Sequence, residues 1–525
     1  MFSIRFVALI FLPCAPLLHA QDRFPDPIPA SSFSVQVAPV ATIPDSSKNN
    51  PPRLHVLTQD PGGRLFVNDQ RGVLYSFDEK TGVVREYLDL RDYPALDLRA
   101  SFEDGFQGFA FHPDFLRPNT NGYGRFYTIF SSNETGKTPD FDPGGSTAFH
   151  TLLLEWRTGN PEADAFSPAV PSSPFRELMR LKQPFGNHNA GLVAFNPLAL
   201  PDDPDFGNLY IAIADGGSGG DPLENGEDPS NPFGAILRID PLGTDSFNGT
   251  YGIVAENALA ADDDPGTLAE IYAYGLRNPQ RFGWDISTGN GYIADIGQNA
   301  IEEINLLNNG AHYGWDIREG RFAFEGSATA GLTDPIAEYD HTGMVASLPP
   351  GVTGGRAVTV SDVARGTCVR GLDGHLFLAD FPSGIPFILD IETDPLEGGQ
   401  DGLRELVLLD ERGNPARFLD MMNAARSARG LGSKNRADLR FSVNTPGRIF
   451  LINKGDGIVR RILPDQQPAL SIGSANGRFT LSHTGILQSS PDLSTWSDLI
   501  PQPDESLQWT PRPGQPPQFW RSVRR

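Results

Sequence analysis

The chain has 525 residues, with 65 Asp and Glu against 42 Lys and Arg, a formal net charge of −23. A surface this acidic repels phosphate backbones and anionic lipid, which excludes nucleic acid as a partner. Two cysteines rule out a disulfide framework, and no Cys-x-x-Cys-His stands anywhere to attach a haem, so electrons taken from a substrate must leave through a separate acceptor.

Residues 1–20 open with Arg5, run apolar from Phe6 to Leu18 and end in Ala20 before a polar stretch. That is the form of a secretory signal cleaved after Ala20, and it predicts a secreted or periplasmic protein with no transmembrane segment. Cys14 falls inside it in the context Leu12-Pro13-Cys14, a poor lipid-attachment sequence, so the mature chain keeps Cys368. Residues 21–52 are rich in proline and serine and read as a lead-in or a closing strand rather than a domain.

From residue 53 to 465 a turn followed by an alternating apolar strand recurs six times. The strands are Leu65-Phe66-Val67, Arg125-Phe126-Tyr127, Leu209-Tyr210-Ile211, Tyr292-Ile293, Leu376-Phe377-Leu378 and Ile449-Phe450-Leu451, each behind a glycine turn. The 56 glycines and 46 prolines favour short strands over long helices. A chain this long outgrows one ordinary core, and a long period of this kind predicts an all-β, six-bladed β-propeller. Residues 466–525 change character, with strands near Arg478–Ser482, Gly485–Ser489 and Ser506–Thr510 between proline-rich turns. They read as a small accessory β-module with a structural, adhesive or sorting role.

Candidate chemistry concentrates in the middle third. Gly108-Phe109-Ala110-Phe111-His112-Pro113-Asp114-Phe115 carries a histidine beside proline that reads as structural. Gly186-Asn187-His188-Asn189-Ala190-Gly191 sets a histidine among small and amide residues before a strand, where a loop can present its imidazole to a pocket. Ala212-Ile213-Ala214-Asp215-Gly216-Gly217-Ser218-Gly219-Gly220-Asp221 is a strand running into a glycine-rich loop; it is no phosphate loop, since no Gly-Lys-Ser/Thr follows. Asp221 there reads as a turn former, and Arg238 in Gly234–Pro241 as structural. The last segments are Tyr274-Gly275-Leu276-Arg277-Asn278-Pro279-Gln280, Asp295-Ile296-Gly297-Gln298-Asn299-Ala300-Ile301-Glu302-Glu303-Ile304-Asn305 and His312-Tyr313-Gly314-Trp315.

Together these segments resemble the soluble pyrroloquinoline quinone (PQQ)-dependent glucose and sorbosone dehydrogenases, with gaps, from about Leu54 to Leu463. The resemblance implies oxidation of an aldose-type sugar by base-assisted hydride transfer to the quinone. It makes His188 the general base, Asp215 the carboxylate that orients it, and Arg277 the group that stabilises charge on the quinone oxygen. It assigns Arg277, Asn278 and Gln298 to the cofactor. It also implies a calcium ion, held partly by the backbone carbonyls of Gly297 and Gln298, and puts Glu302 and Glu303 at acidic positions that support this loop or a nearby structural calcium. The pattern departs at Thr359 and Ser383, where basic side chains for the quinone carboxylates are expected; Arg356, Arg370, Lys434, Arg436 or Lys454 are the candidates to replace them. Two rival classes stand beside the dehydrogenase: a propeller that binds carbohydrate or protein without catalysis, and a calcium-dependent propeller lactonase.

Overall fold

The computed structural model describes residues 24 and 26–464, apart from 148, 263, 327–329, 343–355, 368, 370 and 445–446, together with short strands between 470 and 523. The expected signal, Cys14, Cys368 and Arg370 therefore lie outside the described residues.

The chain is all-β, with one α-helix, Phe418–Ala428, among the described residues. Four sheets follow one another in sequence, each a meander. The first is Leu54–Gln59, Leu65–Asp69, Val73–Phe77 and Val84–Asp89; the second is Phe106–Phe111, Arg125–Ser132, His150–Arg157 and Phe175–Lys182. The third orders Ala190–Phe195, Leu209–Ile213 and Ala235–Asp240, with Gly252–Ile253 and Ile271–Tyr274 both pairing the last of these. The fourth is Arg281–Trp284, Gly291–Asp295, Ile301–Leu306 and Ala337–Asp340.

The six expected separate blades are corrected by the remainder of the chain, which forms one eight-stranded sheet. Its cause is the long strand Ala30–Thr42. This strand pairs in parallel with Leu403–Leu409 on one side and antiparallel with Ile458–Ile462 on the other, and so fuses what would be two edges. Val35, Val37 and Ala41 are buried along it. Covering both edges removes two rows of unpaired backbone groups, which open strands leave available for aggregation.

The first strands of the sheets gather around one axis. Residues of Leu54–Gln59, Phe106–Phe111, Ala190–Phe195, Arg281–Trp284, Val358–Val363 and Arg440–Asn444 line a common cavity of about 610 Å³. Between the sheets the core is aromatic and branched; Phe66, Phe106, Phe111, Phe126, Phe130 and Trp156 form one such layer. The strands Leu470–Ala475, Arg478–His483 and Ser506–Trp509 form one small sheet near the C-terminus, and Ser497–Asp498, Ile486–Ser490 and Phe519–Val523 form another.

Candidate active site

A pocket of about 210 Å³ opens where loops lead into these axial strands, and His188, Arg277, Asn278 and Gly297 all line it. His188 sits two residues before the strand Ala190–Phe195, with φ at 53°. A histidine in the left-handed region is strained, and its backbone N–H is held by donating to Glu103 Oε2 at 2.8 Å. Its Nδ1 lies 2.7 Å from Asp215 Oδ1, with both side chains buried.

Asp215 is fixed from every side. It follows the strand Leu209–Ile213, and its backbone N–H donates to the Arg277 carbonyl at 2.8 Å. Oδ1 also accepts from the Gly217 N–H at 2.8 Å, and Oδ2 accepts from the Trp315 indole N–H at 3.0 Å. Gly217 is needed there: φ is 103°, and a Cβ would lie 2.5 Å from the Asn187 carbonyl and side-chain oxygens. The result is a buried chain, His188 to Asp215 to Trp315, in which the carboxylate is fully hydrogen-bonded. Glu103 was not singled out from sequence, and Trp315 stood in a family-like segment without a role; they stand 85 residues before and 100 residues after the groups they hold.

Arg277 faces the same pocket. Asp295 accepts the backbone N–H groups of Arg277 and Asn278 at 2.8 and 2.6 Å, which sets the turn. The guanidinium donates from Nε to Gln298 Oε1 at 3.0 Å, and from Nη1 to the Ile296 and Gly297 carbonyls at 2.9 and 2.7 Å. Its carbon lies 5.4 Å from the centre of the Trp315 ring. Arg277 thus bridges the His188–Asp215–Trp315 chain and the Ile296–Gln298 loop.

The residues expected around calcium do not all converge. Glu302 and Glu303 are consecutive in the strand Ile301–Leu306, so the pleat sends them to opposite faces. Glu302 is bonded to His341 Nε2 at 2.8 Å and to the Val358 N–H at 2.8 Å. Glu303 is buried beside Asp295, Glu338 and Glu319, and burial raises its carboxyl well above the usual range. Gly297 lines the pocket, and its carbonyl accepts from the Arg277 guanidinium. Among the described residues no three of His, Cys, Asp and Glu gather as metal ligands. The acidic side chains therefore form no calcium cage of their own here, and no step below passes through the ion.

An anionic cofactor fits well. Thr359 and Ser383 are buried away from the pocket, Ser383 donating to the Asp380 carbonyl at 3.2 Å. The missing charge is supplied by Arg356, Arg436 and Lys454, three of the candidates named from sequence, together with Arg440, which was not named; all line the pocket with Arg277. Lys434 is not among the lining residues. Arg436 pairs with Asp438 at 2.6 Å, and Arg440 lies 4.6 Å from the Phe381 ring centre. Arg440 Nε is a buried donor without a partner. Burial and the neighbouring Arg440, Arg436 and Arg281 hold the Lys454 ammonium well below its ordinary range, with Asp438 opposing. Burial likewise pushes the Arg440 guanidinium down to about 10. Five cations around one pocket, with Asp438 and Glu103 the acids beside them, suit a ligand bearing several negative charges.

Other sequence readings take structural places. His112 is buried, its Nδ1 accepting the Asp114 N–H at 3.0 Å. Asp221 accepts the Gly226 N–H at 2.6 Å and the Glu224 N–H on its carbonyl, which is the work of a turn; burial raises its carboxyl to about 7. Arg238 bonds Asn257 and pairs with Asp205.

A family described as Glucose / Sorbosone dehydrogenase matches residues 49–351. The HIPL1 protein of Arabidopsis thaliana is 27% identical over 345 residues, 56% of this chain and 47% of that protein. Quinoprotein glucose dehydrogenase B of Acinetobacter calcoaceticus is 24% identical over 285 residues, 51% of each chain. Hedgehog-interacting protein of Homo sapiens is 26% identical over 226 residues, 42% of this chain and 28% of that protein. The chain spans about half the length, or less, of these curated relatives. Among solved structures, the PQQ-bound form of an aldose sugar dehydrogenase from Streptomyces coelicolor aligns with a TM-score of 0.50 at 19% identity, over 83% of this chain and 100% of that one. This likeness establishes the propeller fold.

Proposed function

Since the chain belongs to the glucose/sorbosone dehydrogenase family, we propose that it is a PQQ-dependent dehydrogenase that oxidises an aldose-type sugar. The observation that carries this reading is one pocket in which a carboxylate-held imidazole, His188, is combined with the cations Arg277, Arg356, Arg436, Arg440 and Lys454. Reading the eight-stranded sheet as two blades that share the strand Ala30–Thr42 completes a six-bladed propeller around the pocket. Residues 1–20 then serve as the secretory signal, and residues 466–525 as the accessory module.

Asp215 at Nδ1 fixes the tautomer that leaves His188 Nε2 as the proton-accepting nitrogen. Nε2 takes the hydroxyl proton at the sugar's anomeric carbon as the electron pair of its C–H bond departs with hydrogen. The imidazolium so formed is stabilised by Asp215, whose charge is in turn held by Trp315 and Gly217. When bound, the quinone supplies the two-electron hydride acceptor. Arg436, Arg440 and Lys454 would hold its carboxylates. Arg277, anchored through Nε and Nη1, would stabilise the charge that grows on a quinone oxygen. The acceptor that removes the electrons is a separate molecule.

Protein supplied with PQQ and Ca²⁺ is expected to reduce an artificial dye when an aldose is added, and His188→Ala to abolish turnover without loss of fold. A second reading is supported by the similarity to Hedgehog-interacting protein: a propeller that binds a partner and does no chemistry. Failure of the protein to bind PQQ, and no dye reduction with any aldose, would decide for it.

A further inference from the structure

Phe102 is 66% exposed, and it lines the pocket alongside Glu103 and His188. The other large apolar side chains left exposed among the described residues, Val83, Val170, Leu200 and Phe247, do not line it. A single exposed aromatic ring is ordinary on a protein surface; what sets Phe102 apart is its place in the lining of a polar pocket, in company with His188.

The ring is presented by a tethered backbone. Arg53 donates to the Ser101 carbonyl, Gln70 Nε2 reaches the Phe102 carbonyl at 3.4 Å, and Gln107 Nε2 donates to the Glu103 carbonyl. The Glu103 side chain in turn accepts the backbone N–H of His188. Phe102 is thus one residue from the group that holds the base. The Arg436 guanidinium lies 5.3 Å from its ring centre, and the large exposure shows that much of the ring remains open to a ligand.

We propose that Phe102 is the platform on which the substrate ring stacks, and that it selects aldopyranoses with an uninterrupted face of C–H bonds. This rests on the sugar-oxidising reading above. A pyranose with equatorial hydroxyls turns axial hydrogens toward an aromatic face, where apolar contact and the ring's negative quadrupole both favour it. Its hydroxyls then project sideways toward the charged lining. An axial hydroxyl on the stacked face would separate the rings and lose both terms.

The test compares Phe102→Ala, Phe102→Leu and Phe102→Tyr. Three quantities are measured on each: KM and kcat for glucose and xylose by dye reduction with PQQ and Ca²⁺, sugar binding by calorimetry, and PQQ affinity by fluorescence titration. Phe102→Ala is expected to raise KM about tenfold and weaken sugar binding equally, with kcat and PQQ affinity unchanged. Phe102→Tyr is expected to restore both, and Phe102→Leu to fall between. If Phe102→Ala leaves KM and sugar binding as they were and instead weakens PQQ, the ring serves only to clamp Arg436 and the proposal is overturned. If the wild-type protein binds sugar in a Phe102-dependent way yet reduces no dye, the dehydrogenase reading fails and the platform stands. If it reduces dye and the three variants share one KM, the platform fails and the dehydrogenase reading stands.

Discussion

Replacing Lys454 by methionine is expected to move stability and cofactor affinity in opposite directions. In the empty pocket the Lys454 ammonium faces Arg440, Arg436 and Arg281 with Asp438 as its opposing charge, and Asp438 is already paired with Arg436. An apolar side chain of similar length removes a charge whose desolvation is not repaid, a change that stabilises by about 1 to 4 kcal/mol at other buried ionic sites. In the loaded pocket the same change deletes a charge-assisted contact to a carboxylate, about 1.5 to 3 kcal/mol, or roughly ten- to a hundredfold in Kd. The pH dependence follows from the same charges. The unfolded lysine holds its proton up to about 10.5, whereas the folded one releases it at lower pH. The unfolded state therefore carries more protons in that window, and the empty protein gains stability as pH rises through it. An anion in the pocket restores the ordinary affinity for the proton, so PQQ binding takes up protons and strengthens as pH falls. Thermal unfolding of the empty protein and fluorescence titration with PQQ, both run from neutral pH toward 10.5, measure each slope. In Lys454→Met both slopes are expected to shrink. A lowered midpoint together with unchanged PQQ affinity would refute the placement of uncompensated charge in this pocket.

Trp315→Phe keeps an aromatic ring beside Phe324 and Arg277 but deletes the donor to Asp215 Oδ2. Denaturant unfolding is expected to show a loss of about 1.5 to 3 kcal/mol, and dye-coupled turnover to fall while PQQ affinity holds. His112 is depressed from 6.5 to about 4, chiefly by burial. The unfolded chain takes that proton near 6.5 and the folded one only near 4, so the His112 contribution is full above 6.5 and is lost as pH falls between the two. The difference amounts to about 3 kcal/mol. His112→Asn, which can still accept the Asp114 N–H, is expected to flatten that part of the unfolding profile; an unaltered slope would place the pH sensitivity elsewhere. Finally, stopped-flow mixing with PQQ is expected to give association rates that rise with added salt, because the net charge of −23 repels the trianion at long range and is screened over a Debye length of about 10 Å at 0.1 M. Rates that fall with salt would mean that the basic pocket governs the approach.

The sheets were legible because each repeats the same local signal. All six glycine-led strands read from sequence are the second strands of their meanders; Leu65–Asp69, Arg125–Ser132, Leu209–Ile213, Gly291–Asp295, His375–Asp380 and Arg448–Ile452 each pair with the axial strand before them. The fusion of the last two sheets was not legible as such. It depends on residues 30–42 reaching strands more than 360 positions away, and no periodicity encodes a pairing of that separation. The Glu302-Glu303 pair shows the reverse case, since strand alternation already forbade both from facing Gly297, and the two adjacent acids outweighed that rule.

Within the site, the histidine and its carboxylate could be named because each lies in a segment of unusual local composition. Glu103, Trp315 and Arg440 could not, because their work is defined only by what the ring of loops brings to them. The same reasoning explains how an acidic chain hides a basic pocket. Net charge sums over the whole surface, and 65 acidic residues against 42 basic ones weigh against broad anionic partners. It says nothing about where the basic residues go. Four strand entries and exits, at Arg277, Arg356, Arg436 with Arg440, and Lys454, set their cations around one 210 Å³ pocket. Partly withdrawn from bulk water, each charge in that pocket counts for more than it would on the exterior. On the proposed function, selectivity for a small, multiply charged anion over a polymeric one is the expected outcome: the polymer meets the field of the surface, and only a ligand small enough to enter meets the field of the pocket.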